Sequence, residues 1–217
     1  MVIAIDGPAG AGKSTVARAL AERLGFTYLD SGAMYRSVAL ATVRAGADPD
    51  DPAAVTDLAC ALELELSPGR VRVGGEDVSA AIRTPEVSAA ASRVSVHPGV
   101  RAAMVERQRS IVADGAWVAE GRDIGTVVCP ASPLKVHLTA SEEERARRRA
   151  AETGEQIAAV LASQRDRDAR DRGREHGALE LAADAVELDT TGLDVDGVVD
   201  LIEAIARERG LIGGPGS

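Results

Sequence analysis

Val2-Ile3-Ala4-Ile5-Asp6-Gly7-Pro8-Ala9-Gly10-Ala11-Gly12-Lys13-Ser14-Thr15 decides the fold. Its first four residues are a continuous apolar run, the pattern of a strand buried on both faces of a parallel sheet. Residues 7–14 fit G-x-x-x-x-G-K-[ST]. Val16, Ala17, Leu20, Ala21 and Leu24 then recur at helical spacing, and Gly25 stands where a C-cap belongs. Strand, glycine-rich turn and amphipathic helix, in that order, form the context this motif requires. The glycines let the backbone wrap a phosphate with its N–H groups, and the helix N-terminus adds partial positive charge. Lys13 then acts as a point charge for β- and γ-phosphates, and the Ser14 hydroxyl as a ligand for Mg²⁺. The competing reading is a turn that merely joins strand to helix, which would leave both the residues and their context unexplained.

Further short strand candidates lie at residues 28–29, 117–119, 134–138 and 185–188, with helical patterns between most of them and after the last, around residues 198–209. Strands alternating with helices predict an α/β protein of three layers, α/β/α, around a five-stranded parallel sheet, with ligands at the strands' C-terminal ends. Residues 62–78 break that rhythm. Leu62, Leu64 and Leu66 alternate with Glu63, Glu65 and Ser67, then Pro68-Gly69 turns, and Val71 and Val73 alternate with Arg70 and Arg72. This predicts a small antiparallel meander, inserted in the α/β core, with glutamates facing arginines. Thr84-Pro85 starts another helix, Thr as N-cap and Pro at the first helical position. Residues 213–217 read as a frayed tail.

With 217 residues and 22.4 kDa, a folded monomer buries roughly 70% of its extended surface, enough for one main domain with room for an insertion. Hydrophobic residues at 45% and charged residues at 27% describe a soluble globule, and aromatics at 2% exclude base recognition by stacking platforms. The 34 acidic against 25 basic residues give −9, which repels a polyanion, so no nucleic-acid partner is expected. Cys60 and Cys129 form neither a disulfide framework nor a metal quartet, and are read as two half-buried thiols in a reducing compartment. No apolar run approaches the roughly 18 residues of a membrane span, and the first one stops at Asp6, so a cytoplasmic protein is expected. His97, His137 and His176 lack a metal pattern. The chain contains no asparagine and only two lysines, Lys13 and Lys135, where arginine is otherwise the rule. The missing asparagine excludes an Asn-Lys-x-Asp guanine reader, and the short chain disfavours motor-type ATPases and transporters. What remains is a small-molecule kinase.

Such a kinase needs mobile cations that close over two phosphate groups and exclude water. Residues 142–175 supply nine arginines (145, 147, 148, 149, 165, 167, 170, 172 and 174), matched by nine acids, so the segment is arginine-dense yet neutral. An RNA-binding stripe would have a clear positive excess. Arg147 and Arg172 read as solvated helical ion-pair partners. Arg167, Arg170, Asp171 and Arg174 fall on one helical face by spacing, unless Gly173 ends the helix and leaves Arg174 to the following loop.

Three further motifs follow in order: Leu29-Asp30-Ser31-Gly32-Ala33-Met34-Tyr35-Arg36, Gly121-Arg122-Asp123-Ile124-Gly125-Thr126, and Arg167-Asp168-x-Arg170-Asp171-x-x-Arg174. Together with the phosphate loop, this ordered set closely resembles the bacterial cytidylate kinases, P-loop nucleoside monophosphate kinases, over nearly the whole chain. The resemblance implies ATP-dependent phosphorylation of CMP and dCMP in pyrimidine nucleotide metabolism, with Mg²⁺, by a cytoplasmic monomer with no membrane partner. It implies a P-loop core at residues 1–30 and 115–217, a helical lid at about 142–165, and a nucleoside-monophosphate-binding subdomain at 31–114. Carried over by position, Gly7, Pro8, Ala9, Gly10, Ala11, Gly12, Lys13, Ser14 and Thr15 match the ATP phosphate loop. Ser31, Arg36, Arg122 and Arg174 match residues around the acceptor phosphate. Ser92, Arg101 and Asp123 match cytosine readers, and Arg167 and Asp171 match ribose contacts. The lid's cation comes from among Arg145 to Arg149, with Arg149 taken beside Lys13, Arg122 and Arg174 as catalytic. Gly177-Ala178-Leu179 departs from the family, where a proline is common before the leucine.

From the residues themselves, a carboxylate such as Asp123 favours cytosine's amino donor over uracil's acceptor, or else it holds a neighbouring arginine. Asp30 is either structural or a base-like group near the acceptor. Two other functions stay open at this point: another small phosphate-loop kinase with a different monophosphate or a metabolite such as shikimate, and a non-catalytic nucleotide- or RNA-binding protein.

Overall fold

The computed structural model describes residues 1–67, 69–174 and 176–213. Pro68 of the expected turn, Glu175 of the acid count and residues 214–217 of the expected tail lie outside the described residues. In chain order the elements are β1 (Val2–Asp6), α1 (Lys13–Leu24), β2 (Thr27–Asp30), α2 (Ser31–Arg44), α3 (Pro52–Ala61), β3 (Leu64–Ser67), β4 (Arg70–Val73) and β5 (Glu76–Asp77). There follow α4 (Pro85–Val94), α5 (Pro98–Ile111), β6 (Trp117–Glu120), a wide π-type turn (Ile124–Val128), β7 (Leu134–Thr139), α6 (Glu142–Thr153), α7 (Ile157–Arg172), β8 (Val186–Asp189) and α8 (Val195–Glu208).

Two compact units divide the chain, one of Met1–Leu29, Val112–Gly173 and Gly177–Ser217, the other of Asp30–Ile111 and Arg174–His176. The first holds the expected five-stranded parallel sheet, ordered β2-β6-β1-β7-β8. Every residue of β1 is buried, as its unbroken apolar run requires. Ile3 and Ile5 of β1, Val118 of β6 and Leu134, Val136 and Leu138 of β7 pack with Val16, Ala17 and Leu20 of α1 and with Val198, Val199, Ile202 and Ala206 of α8. Gly25 ends α1 at φ +66°. Asp194 caps α8 through the Gly197 amide at 2.8 Å, which starts that helix three residues before the hydrophobic spacing does. β6 and β7 likewise run on past their apolar stretches, to Glu120 and Thr139. Hydrophobic pattern cannot register polar residues that continue a strand toward a site.

α6 and α7 pair over a small apolar contact of Ala146, Ala150 and Val160 with Leu161. Gly173 follows the last residue of α7 as its C-cap. Arg174 therefore lies beyond the helix, and the shared face is limited to Arg167, Arg170 and Asp171.

In the second unit α2 packs on α4 and α3 on α5. Its sheet, β3-β4-β5, is the expected meander, with Leu64 opposite Val73, Glu65 opposite Arg72 and Leu66 opposite Val71. Glu65 does face an arginine, but the Arg72 guanidinium donates to the Gly75 carbonyl. Thr84 caps α4 through the Val87 amide at 3.3 Å, with Pro85 first in the helix. Cys129 is half-buried as expected, whereas Cys60 is exposed.

Ile202 is fully buried between α8 and the sheet, so Ile202→Ala should cost about 2–5 kcal/mol. The urea midpoint should fall at unchanged slope, and kcat and KM measured on the folded variant should stay close to the parent's.

Candidate active site

Gly7 is the first requirement of the phosphate loop. At φ +148°, a Cβ there would stand 2.1 Å from the Leu138 carbonyl oxygen, so only glycine lets the chain leave β1 so close to β7. Gly12 is the N-cap of α1 in the left-handed conformation and, as a glycine, caps it with no side chain. Lys13, buried to 6% exposure, donates from Nζ to the Pro8 carbonyl at 2.8 Å, lying across its own loop. Burial, and then the charge of Arg122, push its ammonium down to about 7, with Glu120 opposing and Arg167 adding.

Ser14 Oγ donates to Glu120 Oε1 at 2.7 Å, and the Tyr28 hydroxyl reaches the same oxygen at 3.3 Å. The Arg18 guanidinium lies 5.5 Å from the centre of the Tyr28 ring. Sequence reasoning missed Glu120, whose signal was an acid closing the apolar run at residues 117–119.

The segment after β6 is anchored by Asp6, also missed, from the end of β1. Asp6 accepts the Ile124 amide at 2.9 Å and the Gly125 amide at 2.7 Å, so one buried carboxylate grips two successive peptides at the start of the wide turn. Burial pushes the Asp6 carboxyl up to about 6; the Gly125 and Ile124 amides oppose this and the charge of Asp123 adds to it. Arg122 donates from Nε to Asp171 Oδ2 at 2.7 Å and from Nη1 to the Gly121 carbonyl at 3.2 Å, and Asp171 is fully buried. Asp123 is 5% exposed and its carbonyl closes the turn, accepting from Val127 and Val128. Lys135 pairs with Asp184 at 2.8 Å, and its stem runs beneath Gly125, where a Cβ would come within 3.1 Å of Lys135 Cδ.

The arginines of α6 divide sharply. Arg145 is buried, bonded to Asp168 and to the Ala9 carbonyl. Arg148 bonds Glu144, the Thr190 hydroxyl and the Thr190 carbonyl, and its Nη1 would lie 3.7 Å from a Cβ on Gly12. Arg147 pairs with Glu144 on the surface, as expected, and Arg149 pairs with Glu152 at 3.1 Å, also exposed. Arg167, half-buried on α7, contributes its charge at Lys13.

The second unit gathers the remaining residues. Asp30 caps α2 through the Ala33 amide at 2.8 Å and holds Arg36 at 2.9 Å. Gly32 leaves room for this pair, since a Cβ would stand 2.9 Å from Arg36 Nη1. Ser31 is buried at the head of α2. Arg101 lies over the Tyr35 ring at 5.7 Å and donates to the Ser95 carbonyl at 3.4 Å, while Arg174 donates to the Ser95 hydroxyl at 2.9 Å. Ser95 in turn donates to the Ser92 carbonyl at 3.3 Å, so it joins Ser92, Arg101 and Arg174; nothing in the sequence had singled it out.

A glycine loop on a helix N-terminus, a buried lysine and a serine held by an acid at the next strand's end define a phosphate-loop α/β protein of the kinase type. The chain belongs to the cytidylate kinase family, whose sequence model matches residues 3–208. A cytidylate kinase of Solibacter usitatus (strain Ellin6076) is 50% identical over 216 residues, covering 96% of this chain and 93% of that protein. One of Geobacter sulfurreducens (strain ATCC 51573 / DSM 12127 / PCA) is 46% identical over 218 residues, covering 96% and 94%. Among solved structures, a gluconokinase from Sinorhizobium meliloti 1021 is similar in fold alone, with TM-score 0.51 at 18% identity, covering 97% of this chain and 94% of that one.

The raised Asp6 carboxyl fixes a sign. Between its unfolded value near 4 and about 6, the folded protein without nucleotide binds the extra proton, so its stability falls as pH rises through that window. Lys13 acts oppositely above about 7, where the unfolded chain holds the proton and stability rises with pH. Unfolding free energies from urea titrations should fall from pH 4 to 6 for the parent relative to Asp6→Asn, by on the order of 2 kcal/mol.

Proposed function

We propose that this enzyme transfers the γ-phosphoryl group of ATP to CMP and dCMP, releasing ADP with CDP or dCDP. The reading is carried by the convergence of Lys13, Arg122 and Ser14–Glu120 on the phosphate loop of a cytidylate kinase family member. An acceptor phosphate is already ionised, so transfer demands positioning and charge neutralisation, with no strong general base. The amides of residues 7–15 cradle the donor phosphates. Lys13, held near neutrality by burial and by its arginine neighbours, regains full charge as the polyphosphate arrives, and that charge meets the negative charge of the transferred group.

Ser31, Arg36, Arg122 and Arg174 bind the acceptor phosphate, and Arg122 is pre-aimed by its bond to Asp171. Ser92, Arg101 and Asp123 read cytosine, the carboxylate accepting from the 4-amino group. Arg167 and Asp171 contact the ribose. Arg149 is the lid's catalytic cation, drawn from an exposed pair with Glu152 that costs little to exchange. The donor set of a serine hydroxyl and one buried carboxylate suits a hard cation that keeps its waters, so Ser14 and Glu120 would hold Mg²⁺. Held there, the cation would supply charge neutralisation to the donor phosphates.

The enzyme acts as a cytoplasmic monomer. Support comes from its two free thiols, from a net charge of −9 that disfavours self-association, and from the described helices, none long and apolar enough to cross a membrane.

A coupled assay of ADP release with CMP, dCMP, UMP, AMP and shikimate tests the reading, and the two cytidine acceptors should be preferred. Lys13→Ala should fold normally and lose on the order of 10²-fold or more in kcat; turnover within a few-fold of the parent would sink the assignment. For Asp123→Asn, whose amide both donates and accepts, the CMP/UMP ratio of kcat/KM should fall roughly tenfold or more. An unchanged ratio would make Asp123 a structural partner and not a reader.

A further inference from the structure

Asp168 stands inside one of the chain's motifs without a role in the reaction as derived above. We infer that Asp168 and Arg145 are positioning residues for the donor phosphates, a buried ion pair whose task is to fix the peptides of the phosphate loop. Asp168 Oδ1 accepts the Ala9 amide at 3.4 Å, and Arg145 Nη1 donates to the Ala9 carbonyl at 2.8 Å. The same Nη1 donates to Asp168 Oδ2 at 2.7 Å, and both side chains are 4% exposed. Arg145 Nε also reaches the Ala140 carbonyl at 3.3 Å.

The two peptide groups on either side of Ala9 are thus held from α6 and α7 at once. Gly10 closes the contact, since a Cβ there would lie 2.6 Å from Gln164 Nε2 and 3.0 Å from Arg145 Cβ. Gln164 itself donates to the Arg145 carbonyl at 3.2 Å.

Such an arrangement has a physical reason. The loop is built on Gly7, Gly10 and Gly12, all at positive φ, and so has little backbone preference of its own. An anion cradle works only if its N–H groups converge before the ligand arrives. A buried ion pair is a poor way to join two helices, because apolar side chains of similar volume do that as well or better. What apolar side chains cannot do is hold an amide and a carbonyl in fixed directions. Asp168 also lies three residues before Asp171, which holds Arg122, so one face of α7 steadies both the donor loop and that arginine.

The experiment compares the parent with Asp168→Asn and with the double variant Arg145→Leu/Asp168→Leu. ADP affinity by calorimetry should fall roughly tenfold or more in the double variant, with KM for ATP rising in parallel, KM for CMP within about twofold, and thermal stability close to the parent's. Asp168→Asn keeps an acceptor for the Ala9 amide and should lose less. Unchanged ADP affinity in a folded double variant would reduce the pair to helix cement, and an equal rise in both KM values would equally overturn the inference. Should both variants fail to fold, hydrogen exchange at the Ala9 amide of the parent without nucleotide decides. Protection is expected, and exchange at the rate of an unbonded loop amide refutes the clamp. The inference rests on the ATP-dependent reading only for the donor's identity: a parent that binds ADP but does not phosphorylate CMP would overturn that reading and leave this test standing.

Discussion

Lys13 is buried beside Arg122 and within the field of Arg167. Positive groups brought together out of water repel one another, and the surrounding structure answers that repulsion. Burial and the two arginines already push the lysine toward neutrality before any phosphate is present. Three of the arginines are held by buried or half-buried acids: Arg122 by Asp171, Arg145 by Asp168, and in the other unit Arg36 by Asp30. Those three arginines have their directions fixed by the fold itself, which is the preorganisation that electrostatic stabilisation requires.

The acids that build the first unit's site come from strand ends and from one helix face. Asp6 ends β1 and Glu120 ends β6, adjacent strands whose last residues lie at the carboxyl edge of the sheet. Asp168 and Asp171 both lie on α7. The parallel sheet therefore does more than carry the phosphate loop. It delivers two carboxylates where the helix N-terminus and the turn after β6 need them.

The sheet and the phosphate loop were legible because their signals are local. An unbroken apolar strand, a glycine spacing and a helical period each depend on a few neighbouring residues. The meander was legible for the same reason, down to Glu65 facing Arg72. Glu120, Asp6 and Ser95 were not, because each acts on a residue distant in the chain, as Asp6 does on Ile124 and Gly125. An acid that grips a peptide amide looks in sequence like any acid after a strand. The reach of a helical face was left open in sequence: three-, four- and seven-residue spacings allow Arg174 on α7, and Gly173 ends the helix before it, the alternative the glycine itself signalled. Arg145 looked like its neighbours on α6, yet tertiary contacts alone make it a buried clamp, where Arg147 and Arg149 face solvent.

Lys135 is one of only two lysines in the chain. Its stem passes beneath Gly125 and its ammonium ends on Asp184. The glycine that offers no side chain and the lysine whose methylenes lie under it depend on each other. Any side chain at Gly125 would meet Lys135 Cδ within 3.1 Å and press on the turn that follows Arg122 and Asp123.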